Sequence, residues 1–460
     1  MAVLRGYLGL AISGFIIWVT PCIARAADDV SLAGRVKLSG DYAFDRQSVK
    51  EDPSLTARLV FDGRQDAWLL HSQVEGSWEI PGDDDRQGIA FKRFNAVYQD
   101  ESRFLELKEL VVERQLGGID WRFGVQRFAW GRLDEYPIND LFNPWDYGKF
   151  LVKPMEERKI GVPALSAALG RQDWTSQLVW VPWYIPYRLP EPGSRWSVTP
   201  AITTITAGHN SIVENTPQEE DLPARTLDNG SIGFRVQRLG EIEAAVNFFH
   251  GFDPRPVFRT TSLTVTESAA GWVASPGYVP SFHKITAIGL DAATVAGPFS
   301  LRGEAAYTGN RVFNVRQELW RYPETQSQGV TPLNPIEIDS DTLDYGIAAD
   351  YRPFEDGLLT VQAQQTMILD RPDTLYERRV ETLIWASLKV GWLNQKVETS
   401  LSLASNPEHG ADMVKAGAMY IFSDSWKAEI TAIFLSGPPQ SLFGRYAAND
   451  QIGLEVVYQW

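Results

Sequence analysis

A strict two-residue alternation constrains this chain more than any other feature. Leu32, Gly34, Val36, Leu38, Gly40, Tyr42 and Phe44 take turns with Ala33, Arg35, Lys37, Ser39, Asp41, Ala43 and Asp45. Successive side chains of an extended strand point to opposite faces, so one face here is apolar or neutral and the other is charged. A long strand of this kind fits between lipid on one side and water on the other. The C-terminus repeats the pattern: Ile452, Leu454, Val456, Tyr458 and Trp460 alternate with Gln451, Gly453, Glu455, Val457 and Gln459.

Between these two segments, compact turn signals stand at Asp62-Gly63, Leu116-Gly117-Gly118, Gly170-Arg171, Leu239-Gly240, Ala296-Gly297-Pro298, Glu355-Asp356-Gly357, Leu393-Asn394-Gln395 and Ser423-Asp424-Ser425. They alternate with long polar or aromatic connections at 80–101, 129–160, 184–229, 253–282, 311–340 and 438–449. Eight short turns join nine hairpins, which predicts an all-β, transmembrane antiparallel β-barrel of 18 strands, with 16 as the alternative. Short turns then face the periplasm and long loops the outside. Phe91–Gln99 reads as strand-like, but a separate membrane strand there would put 129–160 on the periplasmic side, so it is assigned to an outside loop. A soluble sandwich or propeller fits less well, because the strands are long and Trp68, Trp78, Trp121, Trp174, Trp183, Trp392, Trp426 and Trp460 cluster at strand ends like interfacial girdles.

Residues 1–26 read as a signal peptide: Arg5 precedes an apolar run from Leu8 to Val19, and Ala24-Arg25-Ala26 is a small-x-small cleavage site. One barrel domain, 27–460, follows. The single cysteine, Cys22, lies inside the signal, so disulfides and thiolate metal sites are excluded from the mature chain. Without Arg5 and Arg25, 58 acidic side chains face 41 basic ones, which argues against a nucleic-acid partner. No mature stretch reaches the roughly 18 apolar residues of a membrane helix, so a membrane crossing must use strands.

Charge on the lipid face at mid-bilayer costs about 2–4 kcal/mol for Arg or Lys, which turns the charged strand positions inward. Arg35, Lys37, Arg58, Arg122, Arg235, Arg302, Arg352, Lys389 and Lys415 are predicted to share the lumen with Glu75, Glu243, Asp291, Glu304, Asp344, Asp350, Glu381, Glu398 and Glu429. So many ions of both signs imply a hydrated, polar interior, some of whose charges pair across neighbouring strands.

The densest segment is Gly124-Val125-Gln126-Arg127-Phe128-Ala129-Trp130-Gly131-Arg132, followed by Asp134, Glu135, Asp140, Asn143-Pro144-Trp145-Asp146-Tyr147 and Lys153-Pro154-Met155-Glu156-Glu157-Arg158-Lys159. A charged, aromatic loop folded into a barrel narrows its lumen and opposes charges where a solute sheds water. The candidate constriction is therefore Arg122, Gln126, Arg127, Arg132, Asp134, Glu135, Asp140, Asp146, Lys153, Glu156, Glu157 and Arg158, facing Arg35, Lys37, Arg58 and Glu75 of the wall. The alternative is an exposed loop with solvated charges.

The Gly-x-Gln-x-x-x-Trp-Gly run at Gly124, Gln126, Trp130 and Gly131, with Asn143-Pro144 and Asp146, resembles a large, poorly characterised proteobacterial family of porin-like outer-membrane proteins. It is more distantly similar to alginate-export barrels. Val125 stands where the family motif carries an arginine, so no role passes to that position. The family resemblance implies an outer-membrane pore with lipid around it, and the C-terminal strand ending on Trp460 separately resembles the assembly signal of bacterial outer-membrane proteins, which implies their assembly machinery as a partner. A passive channel for small polar or amphipathic solutes is the leading expectation, and export of a polymer or lipid with inner-membrane partners is the alternative. Monomer and homo-oligomer are both open.

Trp180-Val181-Pro182-Trp183-Tyr184-Ile185-Pro186-Tyr187-Arg188 reads as an interfacial belt, or else as a surface that stacks on a solute at the mouth. His71, His209, His250, His283 and His409 are scattered, and His71 alone points inward by alternation. That gives no nucleophile with a base, no metal spacing and no cofactor site, and no enzyme activity is expected.

Overall fold

A computed structural model describes residues 29–44, 49–51, 53–79, 95–99, 103–190, 195–196, 203–204, 211–212, 216–217, 221–268, 271–315, 317–318, 329–332, 337–375, 377–439 and 441–460. The predicted signal peptide lies outside the described residues.

The alternating segments become the wall of a closed antiparallel barrel of 18 strands. In chain order they are β1 (Asp29–Phe44), β2 (Ser54–Gln65), β3 (Trp68–Glu79), β4 (Arg103–Leu116), β5 (Ile119–Gln126), β6 (Val162–Arg171), β7 (Trp174–Val181), β8 (Ser231–Arg238) and β9 (Ile242–Phe252). The second half consists of β10 (Lys284–Ala296), β11 (Phe299–Asn314), β12 (Glu337–Tyr351), β13 (Gly357–Ile368), β14 (Val380–Trp392), β15 (Val397–Asn406), β16 (Ala411–Ile421), β17 (Trp426–Ser436) and β18 (Gln451–Gln459). Each strand pairs with its neighbours in sequence, and β18 returns to β1 in a register running from Arg35↔Gln459 to Ala43↔Gln451. Closure leaves the wall without a free edge, so every strand can satisfy its backbone groups within the sheet. The outer face carries exposed large hydrophobics such as Leu32, Leu38, Phe123, Ile288, Ile347 and Leu454. Exposed Trp68, Trp121, Trp174, Trp392 and Trp426 ring the end with the short turns.

Two turns fall later than predicted. Asp62-Gly63 lies within β2, where Asp62 accepts from the His71 ring across the pair at 2.7 Å, and the chain reverses at Asp66, in the left-handed region with φ 51°. The turn expected at Gly170-Arg171 is made by Gln172, with φ 51°. Asp is among the residues that adopt this conformation at modest cost.

The long connections hold more structure than expected. Within 253–282, Val257–Ser268 and Gly271–Ser281 form a hairpin beyond the wall, and Gly329–Pro332 adds to its edge. Its run Thr260-Thr261-Ser262-Leu263-Thr264-Val265-Thr266 is rich in β-branched residues that favour strands. Ala96–Gln99, expected in an outside loop, forms a short strand on β4 near Phe104–Glu106. β5 ends at Gln126 and leaves that stretch of β4 unpaired on one side, and the short strand fills the vacancy.

Two apolar patches interrupt the polar interior expected from the charges. At the long-loop end the inward positions of β14–β17 are apolar, and Leu383, Trp385, Ala404, Met413, Ile433 and Leu435 are buried in one cluster. Across the lumen, Val162, Ala164, Val179, Val181, Phe249, Ile285 and Ala287 form another. What covers both is the connection between β5 and β6.

Candidate functional site

The β5–β6 connection, residues 127–161, folds into the lumen, and its neck shows why. Gly124 has φ 125°, and a Cβ there would collide with the Leu110 carbonyl oxygen, so only glycine lets β5 deviate at this point. Two residues on, the buried Gln126 amide donates to the Ala164 carbonyl at 2.8 Å and accepts from the Ser166 hydroxyl at 2.9 Å. Asn143, with no exposed surface, closes the neck: its oxygen accepts from Phe128 N–H at 2.6 Å and its amide donates to the Gln126 and Ile160 carbonyls at 3.0 and 2.8 Å. At Gly131 a Cβ would strike Pro137 and crowd Glu304. The residues of the Gly-x-Gln-x-x-x-Trp-Gly run thus shape the loop's entry.

Beyond the neck the loop is tied to one wall by charge. The Glu304 carboxylate of β11 accepts three loop N–H groups, from Arg132, from Leu133 at 2.6 Å and from Asn139 at 2.9 Å. Arg132 reaches Asp291 and, at 2.9 Å, Glu243, while Arg302 grips Asp134 through two bonds of 2.8 Å. Gln362 of β13 donates to the Glu135 carbonyl at 2.6 Å, and Arg235 of β8 donates to the Trp130 carbonyl at 3.0 Å. Burial alone would lower the Arg132 pKa, but hydrogen bonds to Asp291 and Glu243 raise it overall. Phe128, Trp130 and Phe142 complete the apolar cluster on this side, with Trp130 and Phe142 edge to face at 4.9 Å.

The far side of the loop meets the opposite wall. A four-residue helix, α1 (Met155–Arg158), presents Glu157 to β1, where Arg35 and Lys37 donate to its two oxygens at 2.7 and 2.9 Å. Burial pushes this carboxyl up, but Lys37 and Arg35 more than offset it and bring it down to about 2. Lys415 of β16 donates to the Val152 carbonyl at 3.1 Å. Phe150 and Leu151 press into the apolar cluster of β14–β17 beside Trp196 and Tyr446. The loop therefore spans the lumen from β8–β13 to β1 and β14–β17.

Ion pairs also hold the loop to itself and to the next connection. Arg158 pairs with Glu135 at 2.6 Å, and Lys159 pairs with Asp140. Asp140 is pushed up by burial, with Lys159 pulling the other way. Arg188, from the aromatic segment 180–188, enters the lumen and bonds Asp146 and Glu106 at 2.7 Å each. Tyr187 packs edge to face on Tyr147 at 5.3 Å, Tyr184 is buried on Phe252 and Phe282, and Trp183 packs on the inner cluster. This stretch is part of the interior packing; only Trp180 faces outward among the exposed residues.

Between α1 and the wall of β1–β4 and β16–β18 a polar cleft stays open, lined by Lys37, Glu75, Lys153, Glu157, Lys415 and Glu455 among others. The structure brings together Arg35, Lys37, Lys153 and Glu157 at or beside this cleft, with Glu75 joined to Arg58 across β2 and β3. Arg132, Asp134, Glu135, Asp140, Asp146 and Arg158 serve as anchors and internal ties. Arg127 holds Gln73 at 2.8 Å and also Glu109, which lies 3.7 Å from His71. Glu156 is exposed, and Arg122 sits apart near the short-turn end, paired with Glu113 at 2.6 Å. Sequence reasoning overlooked Glu106 and Lys108, although Phe104, Glu106 and Lys108 alternate with Leu105 and Leu107 as plainly as β1 does. It also overlooked Gln362, whose partners are loop backbone atoms 227 and 228 residues away and leave no local signal.

Residues 24–385 match the family described as a protein of unknown function, DUF1302. The chain belongs to this family. Among solved structures, Acinetobacter baumannii OccAB1 is similar at 7% identity and a TM-score of 0.51, over 94% of this chain and 96% of that one. Acinetobacter baumannii OccAB4 is similar at 8% identity and a TM-score of 0.50, over 94% and 98%. At such identities the likeness of this DUF1302 chain is one of fold, the barrel of outer-membrane porins. No curated protein matches the chain.

Proposed function

We propose that this DUF1302 protein is exported with residues 1–26 as its signal, inserts in the outer membrane, and works there as a porin-like channel for small polar or amphipathic solutes. The observation that carries the reading is the loop 127–161, tied to both walls and leaving a charged cleft beside α1. A rigid, charged constriction in a barrel selects by size and by matched charge, with no covalent step. Arg35, Lys37, Lys153 and Glu157 line the passage in this reading, and the charges buried under the loop hold it in place.

The test is single-channel conductance in planar bilayers, comparing the wild type with a deletion of residues 132–158. Steady ohmic openings that enlarge on deletion are expected. Absence of openings in both forms would overturn the channel reading.

A further inference from the structure

We infer that Glu157 sets the charge preference of the cleft by acting as the internal counter-ion of Arg35 and Lys37, an inference that rests on the channel reading above. Arg35 and Lys37 are successive inward positions of β1, and one carboxylate, supplied by the loop, bridges both. The next carboxylate is Glu455 of β18, 3.4 Å from Lys37, while Arg35 makes no second ion pair among the described residues. Two cations and two carboxylates therefore cancel at this edge of the passage.

The other ammonium groups at the cleft are already committed. Lys153 pairs with Asp146 at 3.2 Å, Lys149 lies 3.8 Å from Asp41, and Lys415, whose ammonium also donates to the Val152 carbonyl at 3.1 Å, is balanced by the charge of Glu429, which lines the same cleft. Among the described loop residues that line the cleft, Glu157 alone is acidic. Neutralising it would leave an uncompensated positive charge in a narrow space with low-dielectric walls, where the field on a passing ion is stronger than in bulk water. Its carboxyl is held down at about 2, so the counter-ion stays charged at neutral pH.

The test is the reversal potential of the full-length protein in planar bilayers under a potassium chloride gradient. In Glu157→Gln the chloride-to-potassium permeability ratio is expected to rise by about threefold or more, because a unit charge about 4 Å from a passing ion shifts its free energy by more than RT even at the dielectric of water. Arg35→Gln is expected to shift the ratio the other way, and the double variant to return close to the wild type. Arg35→Gln also carries the test if Glu157→Gln does not assemble. Channels that open normally with an unchanged ratio in the single variants would overturn the inference and leave the channel reading intact. A wild type that never opens would overturn both.

Discussion

At Gly124 the backbone stands at φ 125° with the Leu110 carbonyl oxygen where a Cβ would be. Gly124→Ala should therefore lower stability by about 1–3 kcal/mol, the usual range for a residue forced into a sparsely populated backbone region. Urea unfolding of the refolded protein measures it, and an unchanged midpoint would show that the neck tolerates a side chain. The same segment shows how residues were and were not legible. Its density of charge and aromatics sets the stretch apart in the sequence, but Gln126 and Asn143 tie the neck, because a sequence does not show which polar groups find backbone partners. The apolar inner wall was harder still to see. In Leu383-Ile384-Trp385 and Ile433-Phe434-Leu435 the inward residues are as apolar as the outward Ile384 and Phe434, so the alternation that marked every charged strand position vanishes where the lumen is packed.

At the scale of elements, the strands were read well because lipid and water impose opposite chemistries on alternate residues. The course of the loop was not, since its anchors on Glu304, Gln362 and Arg35 lie far away along the chain. Those anchors give the loop a pH signature. The folded Glu157 carboxyl, about 2, lies below its ordinary value of 4.5, so its tie to Arg35 and Lys37 contributes fully above that ordinary value and is lost as pH falls through about 2. Conductance should accordingly hold its neutral-pH level at about pH 4 and step up near pH 2, and the step should be missing in Glu157→Gln. A step between about pH 5 and 4 that is likewise missing in Glu157→Gln would mean that the carboxylate is not held by the two cations.

At the scale of the whole molecule, closure depends on the seam between β1 and β18. Gly34 and Trp460 exchange both backbone hydrogen bonds, at 3.1 and 3.2 Å, and a Cβ on Gly34 would collide with the Trp460 ring. Gly34→Leu should slow or prevent closure, seen as loss of the compact, heat-modifiable band on unboiled gels; normal band formation would argue that the seam can admit a side chain there. The loop that crosses the lumen gives this seam a further significance. Here β1 holds one end of a tie whose other end is on β8–β13, and the last strand shuts beside it. The tie and the seam thus share one strand, so a change at Arg35 or Lys37 acts at once on the loop that fills the lumen and on the strand that closes it.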